Sequence, residues 1–386
     1  MPTTKLKNMA YRFMLPFFAP SCGAHPVVSV TGHTLSCRKN FEKLLHRHHV
    51  LGSAVMLKSE NGHTLICTSS KTPPHTACAG TFFRVASITK TAAAILSMKL
   101  VEQQIIDPDR PVGAYLFPSG PDSVLNGITL KHLLSHTSGL VDPPGLESCL
   151  EKGIPFTDFI ADARHDTPGA SFHYSNLGFG LIGSLMEAVL DKPVGQIFRE
   201  YLFDPLEMNA TLEGCLLPYG SIMPVTRILP YRKDRDLILT ALGSRPLLSP
   251  DPLRHYGHTA GSMYTDVISL QKLFDILIHN RHRFLTDHSV HEMCLRHASY
   301  GSISPSLSYG YGLLRIQDPS VSESTVLGHQ GFAYGCADGA FWEENTGNSV
   351  IMLNGGSSEA RTGRLGLLNR DLMIWAFRKE LPSWSL

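Results

Sequence analysis

Two short apolar runs, GSAVMLKS (residues 52–59) and HTLICTS (residues 63–69), flank Asn61-Gly62. An Asn-Gly pair between two such runs predicts a β-hairpin, because both residues tolerate the positive φ that a tight turn needs. Residues 40–50 (NFEKLLHRHHV) read as a helix. Residues 87–104 predict another: alanine-rich at first, then apolar at Ile95, Met98 and Val101, and stopped by Asp107-Pro108-Asp109. TLKHLLSHTSGL predicts a helix capped by Thr129 and ended at Gly139. NLGFGLIGSLMEAVL (176–190) keeps helical periodicity despite Gly178, Gly180 and Gly183. Each glycine costs a helix ~1 kcal/mol relative to alanine, so the spacing predicts that another backbone approaches closely there.

Beyond residue 262 the pattern changes. SMYTDVISLQKLFDILIHN predicts an amphipathic helix, and YGYGLLRI, STVLGHQG, GCADGAFWEE and NSVIMLNGG predict short strands joined by turns. LNRDLMIWAFRKEL closes the chain as a helix. The expected fold is α+β: one antiparallel sheet with strands from both ends of the chain, flanked by helices, with an inserted, mostly helical region. The expected division is an arm or leader over 1–39 and a catalytic domain over 40–386, built from 40–105 and 256–386 around an insert of 106–255. No internal repeat appears.

The chain has 386 residues, 43% hydrophobic and 17% charged, with a formal net charge of +1. That is a globular composition with no electrostatic footprint for nucleic acid. No stretch supplies the ~20 apolar residues of a membrane span. Lys5, Lys7 and Arg12 precede FMLPFFA and SCGA, faintly like a signal peptide with Ala24 at its end. Cytoplasmic and exported locations both stay open, as does the oligomeric state. Eight cysteines form no CxxC pair and are expected to be mostly free, buried thiols.

Candidate chemistry begins at Ser87-Ile-Thr-Lys90. A lysine in a first helical turn opposes the helix dipole, so its placement calls for a reason. A serine there has a free backbone N–H, and the dipole favours negative charge developing beside it. That suits a nucleophile and one half of an oxyanion hole. Lys90, one turn on, can accept or relay the serine's proton if burial lowers its pKa. Tyr174-Ser175-Asn176 precedes the glycine-containing helix. Tyr174 is a candidate proton shuttle, and Asn176 offers a donor and an acceptor to a substrate amide or ester. His329-Gln330-Gly331 lies near a strand end, where Gly331 admits a substrate to the backbone and Phe332 N–H is the candidate second oxyanion donor.

In this order the three motifs resemble those of the serine β-lactamase and penicillin-binding-protein superfamily, which has Ser-x-x-Lys, then Ser-Asp-Asn, then Lys-Thr-Gly. The Tyr-x-Asn form resembles the class C β-lactamase branch, which also includes DD-peptidases, esterases and acyltransferases. Tyr174 follows Ser87 by 87 residues and His329 follows Tyr174 by 155, as in that branch. LLSHTSGL (133–140) is similar to a stretch that many members carry. The resemblance covers residues 45–380. It implies a β-lactamase/transpeptidase-like fold and a serine hydrolase that forms an acyl-enzyme on a small-molecule or peptide substrate.

The third motif departs from the pattern. A lysine there is a permanent cation for a substrate carboxylate, whereas His329 is mostly neutral near pH 7, which puts β-lactam resistance as the natural task in doubt. Arg361-Thr362-Gly363 competes for the role but sits at the start of the last helix. His46, His48 and His49, and the pair His288 and His291, are expected to be surface or packing residues rather than metal ligands. His136 is expected to anchor a loop. No GxSxG or P-loop occurs, and GFGLIG (178–183) matches GxGxxG only inside a predicted helix rather than between a strand and a helix, so neither an α/β-hydrolase elbow nor a cofactor is indicated. Three functions remain open: a hydrolase of esters or amides such as D-amino-acid peptides, an acyltransferase, and a non-catalytic sensor or binding module.

Overall fold

The computed structural model describes residues 2–18, 27–71, 74–120, 124–229, 232–233, 245–280 and 283–385. Its centre is an antiparallel sheet. From the N-terminal side come β1 (Val27–Gly32), β2 (Ser53–Ser59) and β3 (Gly62–Lys71). From the C-terminal side come β4 (Ala298–Ser299), β5 (Leu307–Tyr309), β6 (Leu314–Ile316), β7 (Val326–Ala333), β8 (Cys336–Glu343) and β9 (Ser349–Asn354). Their order is β1-β3-β2-β9-β8-β7-β6-β5-β4. The β2–β9 pair joins the two ends of the chain, with Val55 opposite Met352. The sheet takes in residues 27–32, which the sequence pattern places in an arm. Ser59 pairs with Gly62 across the expected hairpin. The apolar run expected as one strand over 309–316 is divided, because Gly312 takes φ +66 between β5 and β6.

The helices include α1 (Pro2–Phe18), α2 (Arg38–Arg47), α3 (Thr89–Glu102), α4 (Leu130–Leu134), α5 (Asn176–Leu190), α6 (Val267–His279) and α7 (Leu367–Trp375). A 3₁₀ turn over Ala86–Ile88 leads into α3, so the helix expected from Ser87 starts two residues later. Ala92 to Leu96 are all fully buried. A helix apolar on every side sits inside a molecule rather than on it, and α3 lies in the core rather than exposing one face. Helix α5 spans the residues expected. A Cβ at Gly180 would lie 1.2 Å from Tyr256 O, so the close backbone approach is real and its partner is the 256–257 segment.

Two helices are shorter than their patterns suggest. Helix α4 ends at Leu134, not Gly139. Residues 135–139 instead turn against another segment: His136 has φ +58, and a Cβ at Gly139 would meet Asp166 O at 2.0 Å. Helix α6 starts at Val267, where the Asp266 carboxylate accepts from Ser269 N at 2.7 Å. The preceding Tyr264-Thr265 forms a strand instead. The described cysteines are free, but only Cys336 is buried, which corrects the expectation of buried thiols. Cys22 and the Ser21–Ala24 segment lie outside the described residues. His48 pairs with Asp371 at 2.9 Å.

Candidate active site

The 3₁₀ turn that carries Ser87 is held from three sides. Val85 N donates to Met263 O at 3.0 Å. Thr89 Oγ1 donates to Ala86 O at 2.6 Å and accepts from Met263 N at 3.1 Å. Strand β7 presses on it at Gly331, where a Cβ would meet Val85 O at 2.3 Å. Gly331 therefore admits the chain's own turn, which corrects its expected role of admitting substrate. Ala86 sits at φ +46, a conformation that costs a non-glycine residue of order 1–3 kcal/mol and persists only where its surroundings enforce it.

Lys90 follows on the first turn of α3 and is fully buried. Its Nζ donates to Ser87 Oγ at 3.1 Å, Asn176 Oδ1 at 2.8 Å and Ala260 O at 2.6 Å. Burial lowers its pKa to about 7, against the smaller opposing pull of the Asp142 charge. A neutral amine has two N–H groups and one lone pair. With Asn176 and Ala260 taking the N–H groups, the lone pair faces Ser87 Oγ.

Asn176 opens α5, with Ser175 as its N-cap. Its amide is oriented by Asp142, which accepts from Asn176 Nδ2 at 2.8 Å, Ser175 Oγ at 3.0 Å and Leu177 N at 2.9 Å. Asp142 was not singled out in the sequence, although it lies two residues beyond the LLSHTSGL stretch. Its charge also suits a helix N-terminus. Lys90 Nζ lies 5.0 Å from the centroid of the Tyr174 ring. Burial pushes the Tyr174 phenol well above its ordinary pKa, only partly offset by a hydrogen bond with Ser87. The phenol therefore holds its proton at neutral pH. His136 anchors the loop as expected: its Nδ1 accepts from Ser175 N at 3.1 Å, and its ring packs 4.2 Å from that of Tyr174.

His329 is buried. Its Nδ1 lies 2.8 Å from Gln330 O, and its Nε2 lies 2.9 Å from Tyr309 Oη. A carbonyl only accepts, so Nδ1 carries the proton and the Tyr309 hydroxyl donates to Nε2. Burial first, then the Lys90 charge, lower the His329 pKa to about 3. Both ring nitrogens are engaged and the ring is neutral, so it is a wall of the site and not its cation. The cation is Arg361, whose guanidinium carbon stands 3.8 Å from the centroid of the Phe332 ring. Gln330 ties this segment to β7: its Nε2 donates to Arg364 O at 2.7 Å and its Oε1 accepts from Gly366 N at 3.0 Å. Arg361 belongs to a short strand, Arg361–Thr362, rather than to the last helix.

Phe332 lies opposite Ala337 in the β7–β8 ladder. Ala337 N donates to Ser357 Oγ at 3.1 Å, not to β7. The pair is thus a non-hydrogen-bonded position, and Phe332 N–H points away from β8. On that side β6 pairs only with residues 326–328, so no neighbouring described strand takes this N–H.

Ser87, Asn176, Phe332 and Arg361 line two adjoining cavities. The larger, about 510 Å³, adds Tyr174, His329, Tyr300 and Arg364. The smaller, about 320 Å³, adds Arg84, Glu147, Arg227, Tyr334 and Glu359. Every sequence-identified site residue thus meets in one place, Lys90 and Gly331 from beneath. Among the described residues no three His, Cys, Asp or Glu side chains converge as a metal site.

Esterase EstB of Burkholderia gladioli is 25% identical over 333 residues, 75% of this chain and 81% of that protein. The D-alanyl-D-alanine-carboxypeptidase/endopeptidase AmpH of Escherichia coli K12 is 31% identical over 137 residues, 33% of this chain; the match spans only 36% of the relative's length. The crystal structure of D-amino acid amidase from Ochrobactrum anthropi SV3, complexed with L-phenylalanine, superposes with a TM-score of 0.67 at 21% identity, covering 85% of this chain and 93% of that one. That likeness shows a shared β-lactamase/transpeptidase-like fold. The profile of the Beta-lactamase family matches residues 37–365, and the chain belongs to that family.

Proposed function

We propose that this chain is a serine hydrolase that forms an acyl-enzyme on Ser87 and cleaves an ester or amide, with D-amino-acid peptides among its substrates. The observation that carries the reading is the buried Lys90 amine, with its pKa lowered to about 7 and its Nζ 3.1 Å from Ser87 Oγ. As Ser87 Oγ bonds to the substrate carbonyl carbon, its proton passes to Lys90. The charge forming on the carbonyl oxygen is met by the N–H groups of Ser87 and Phe332. On collapse the bond to the leaving group breaks, and Tyr174 relays the proton from Lys90 to it. Water then attacks the acyl-enzyme and returns Ser87. An alcohol or amine taking the place of water would make the same site an acyltransferase.

Arg361 and Arg364 support a substrate that brings an anionic end, such as a free carboxylate, into the larger cavity. They supply from another segment the positive charge that His329 lacks. The names of the esterase and carboxypeptidase relatives agree with ester and peptide substrates. The test is intact-protein mass after exposure to a fluorophosphonate. Wild type should gain one adduct and Ser87→Ala none, with turnover of an activated ester falling at least ~10³-fold in the variant. A folded wild type that gains no adduct would move the non-catalytic binding module to the front.

A further inference from the structure

Helix α1 has two apolar faces, and the body of the protein covers only one. Leu15 is buried, and the Tyr11 hydroxyl accepts from Glu359 N at 3.2 Å, so this side is docked. On the opposite side Leu6, Met9, Phe13 and Phe17 follow one another at helical spacing, exposed by 65%, 67%, 74% and 70%. With Met14, α1 carries five of the ten exposed large apolar side chains among the described residues. Such a concentration marks an interaction surface rather than ordinary surface scatter.

The charges around the stripe select its partner. At 100° per residue, Lys7 and Arg12 fall on opposite flanks of the Leu6–Phe17 stripe, and both are exposed. The first acidic residue of the chain is Glu42. Apolar and aromatic residues in the centre, basic residues on the flanks and no acidic residue on the helix itself suit the boundary between lipid headgroups and acyl chains, with the cations reaching the phosphates. A second copy of this helix would instead bring cations against cations with no carboxylate between them. No described helix is long and apolar enough to cross a bilayer.

We propose that α1 is an interfacial helix that binds this protein to an anionic lipid surface through Leu6, Met9, Phe13 and Phe17. Its docked side touches Glu359, which lines the smaller cavity at Ser87. A bound bilayer therefore lies about one helix diameter, ~10 Å, from the segment that borders the site.

The test is flotation of the full chain with phosphatidylcholine vesicles, with and without phosphatidylglycerol. Wild type should float with the anionic vesicles, and the Phe13→Glu/Phe17→Glu variant should lose at least tenfold in binding. Lys7→Glu/Arg12→Glu should remove the preference for anionic lipid. Phe17→Trp should shift its fluorescence to the blue on adding vesicles. Wild type that stays with the unbound fraction, or glutamate variants that float equally well, would overturn the proposal. So would a dimer by light scattering that Phe13→Glu splits. No arm of the experiment requires turnover, so its failure leaves the Ser87 chemistry untouched.

Discussion

Lys90 Nζ and Asn176 Oδ1 lie 2.8 Å apart, joining a helix start near residue 90 to another 86 positions along the chain. This contact takes one N–H of Lys90, and Ala260 O takes a second. What remains on the nitrogen faces Ser87.

The pKa of about 7 sets a pH dependence. Only neutral Lys90 can take a proton, so kcat/KM should rise with pH and level off above an apparent pKa near 7. The stability sign follows from linkage. Lys90 has a lower pKa folded than unfolded, so between about pH 7 and 10 the unfolded chain binds more protons and stability rises with pH. Against Lys90→Met, the unfolding free energy of wild type should gain about 2 kcal/mol between pH 7 and pH 9. Parallel denaturation curves at the two pH values would sink the assignment.

Asp142→Asn tests the support beneath this pair. Its negative charge raises the Lys90 pKa, so its loss should move the rising limb of the pH profile to lower pH. Loss of its grip on the Asn176 amide should lower kcat by roughly 10–100-fold, of the order seen when a mispositioned group is left in place. A fall in kcat with no movement of the pH profile would leave Asp142 a purely structural role.

Tyr174→Phe should lower kcat by roughly 10²–10⁴-fold, the range for a lost proton-transfer group. Because the phenol stays protonated, the loss should be greatest for amides, whose leaving groups need a proton, and smaller for activated esters. Equal losses for both substrate types, measured side by side, would argue against a relay to the leaving group.

Arg361→Gln separates charge recognition from chemistry. For a substrate with a free carboxylate, KM should rise at least tenfold, while a neutral ester of the same acyl group should change little. Equal effects on both would show that Arg361 acts through its stacking on Phe332 and not through its charge.

The motifs were legible in the sequence for a simple reason. Ser87, Lys90, Tyr174, Asn176, His329 and Phe332 sit at helix starts or along a strand, and those positions announce themselves through local spacing. The Asn61-Gly62 hairpin and α5 were readable on the same grounds. Asp142 was not, because its partners Asn176 and Leu177 are more than thirty residues away. Nor was the role of Arg361, which depends on the segment that Gln330 ties to β7.

The sequence by itself determined which groups are available and in what order the chain delivers them. Only the tertiary structure decided what state they are in. Lys90 has a lowered pKa because α3 lies inside the molecule, and His329 is neutral because burial and the neighbouring Lys90 charge lower its pKa. Gly331 is a glycine because the turn that carries Ser87 lies against it. Protonation, orientation and cavity shape arise from desolvation and from contacts between distant segments, and no local pattern in the chain records either.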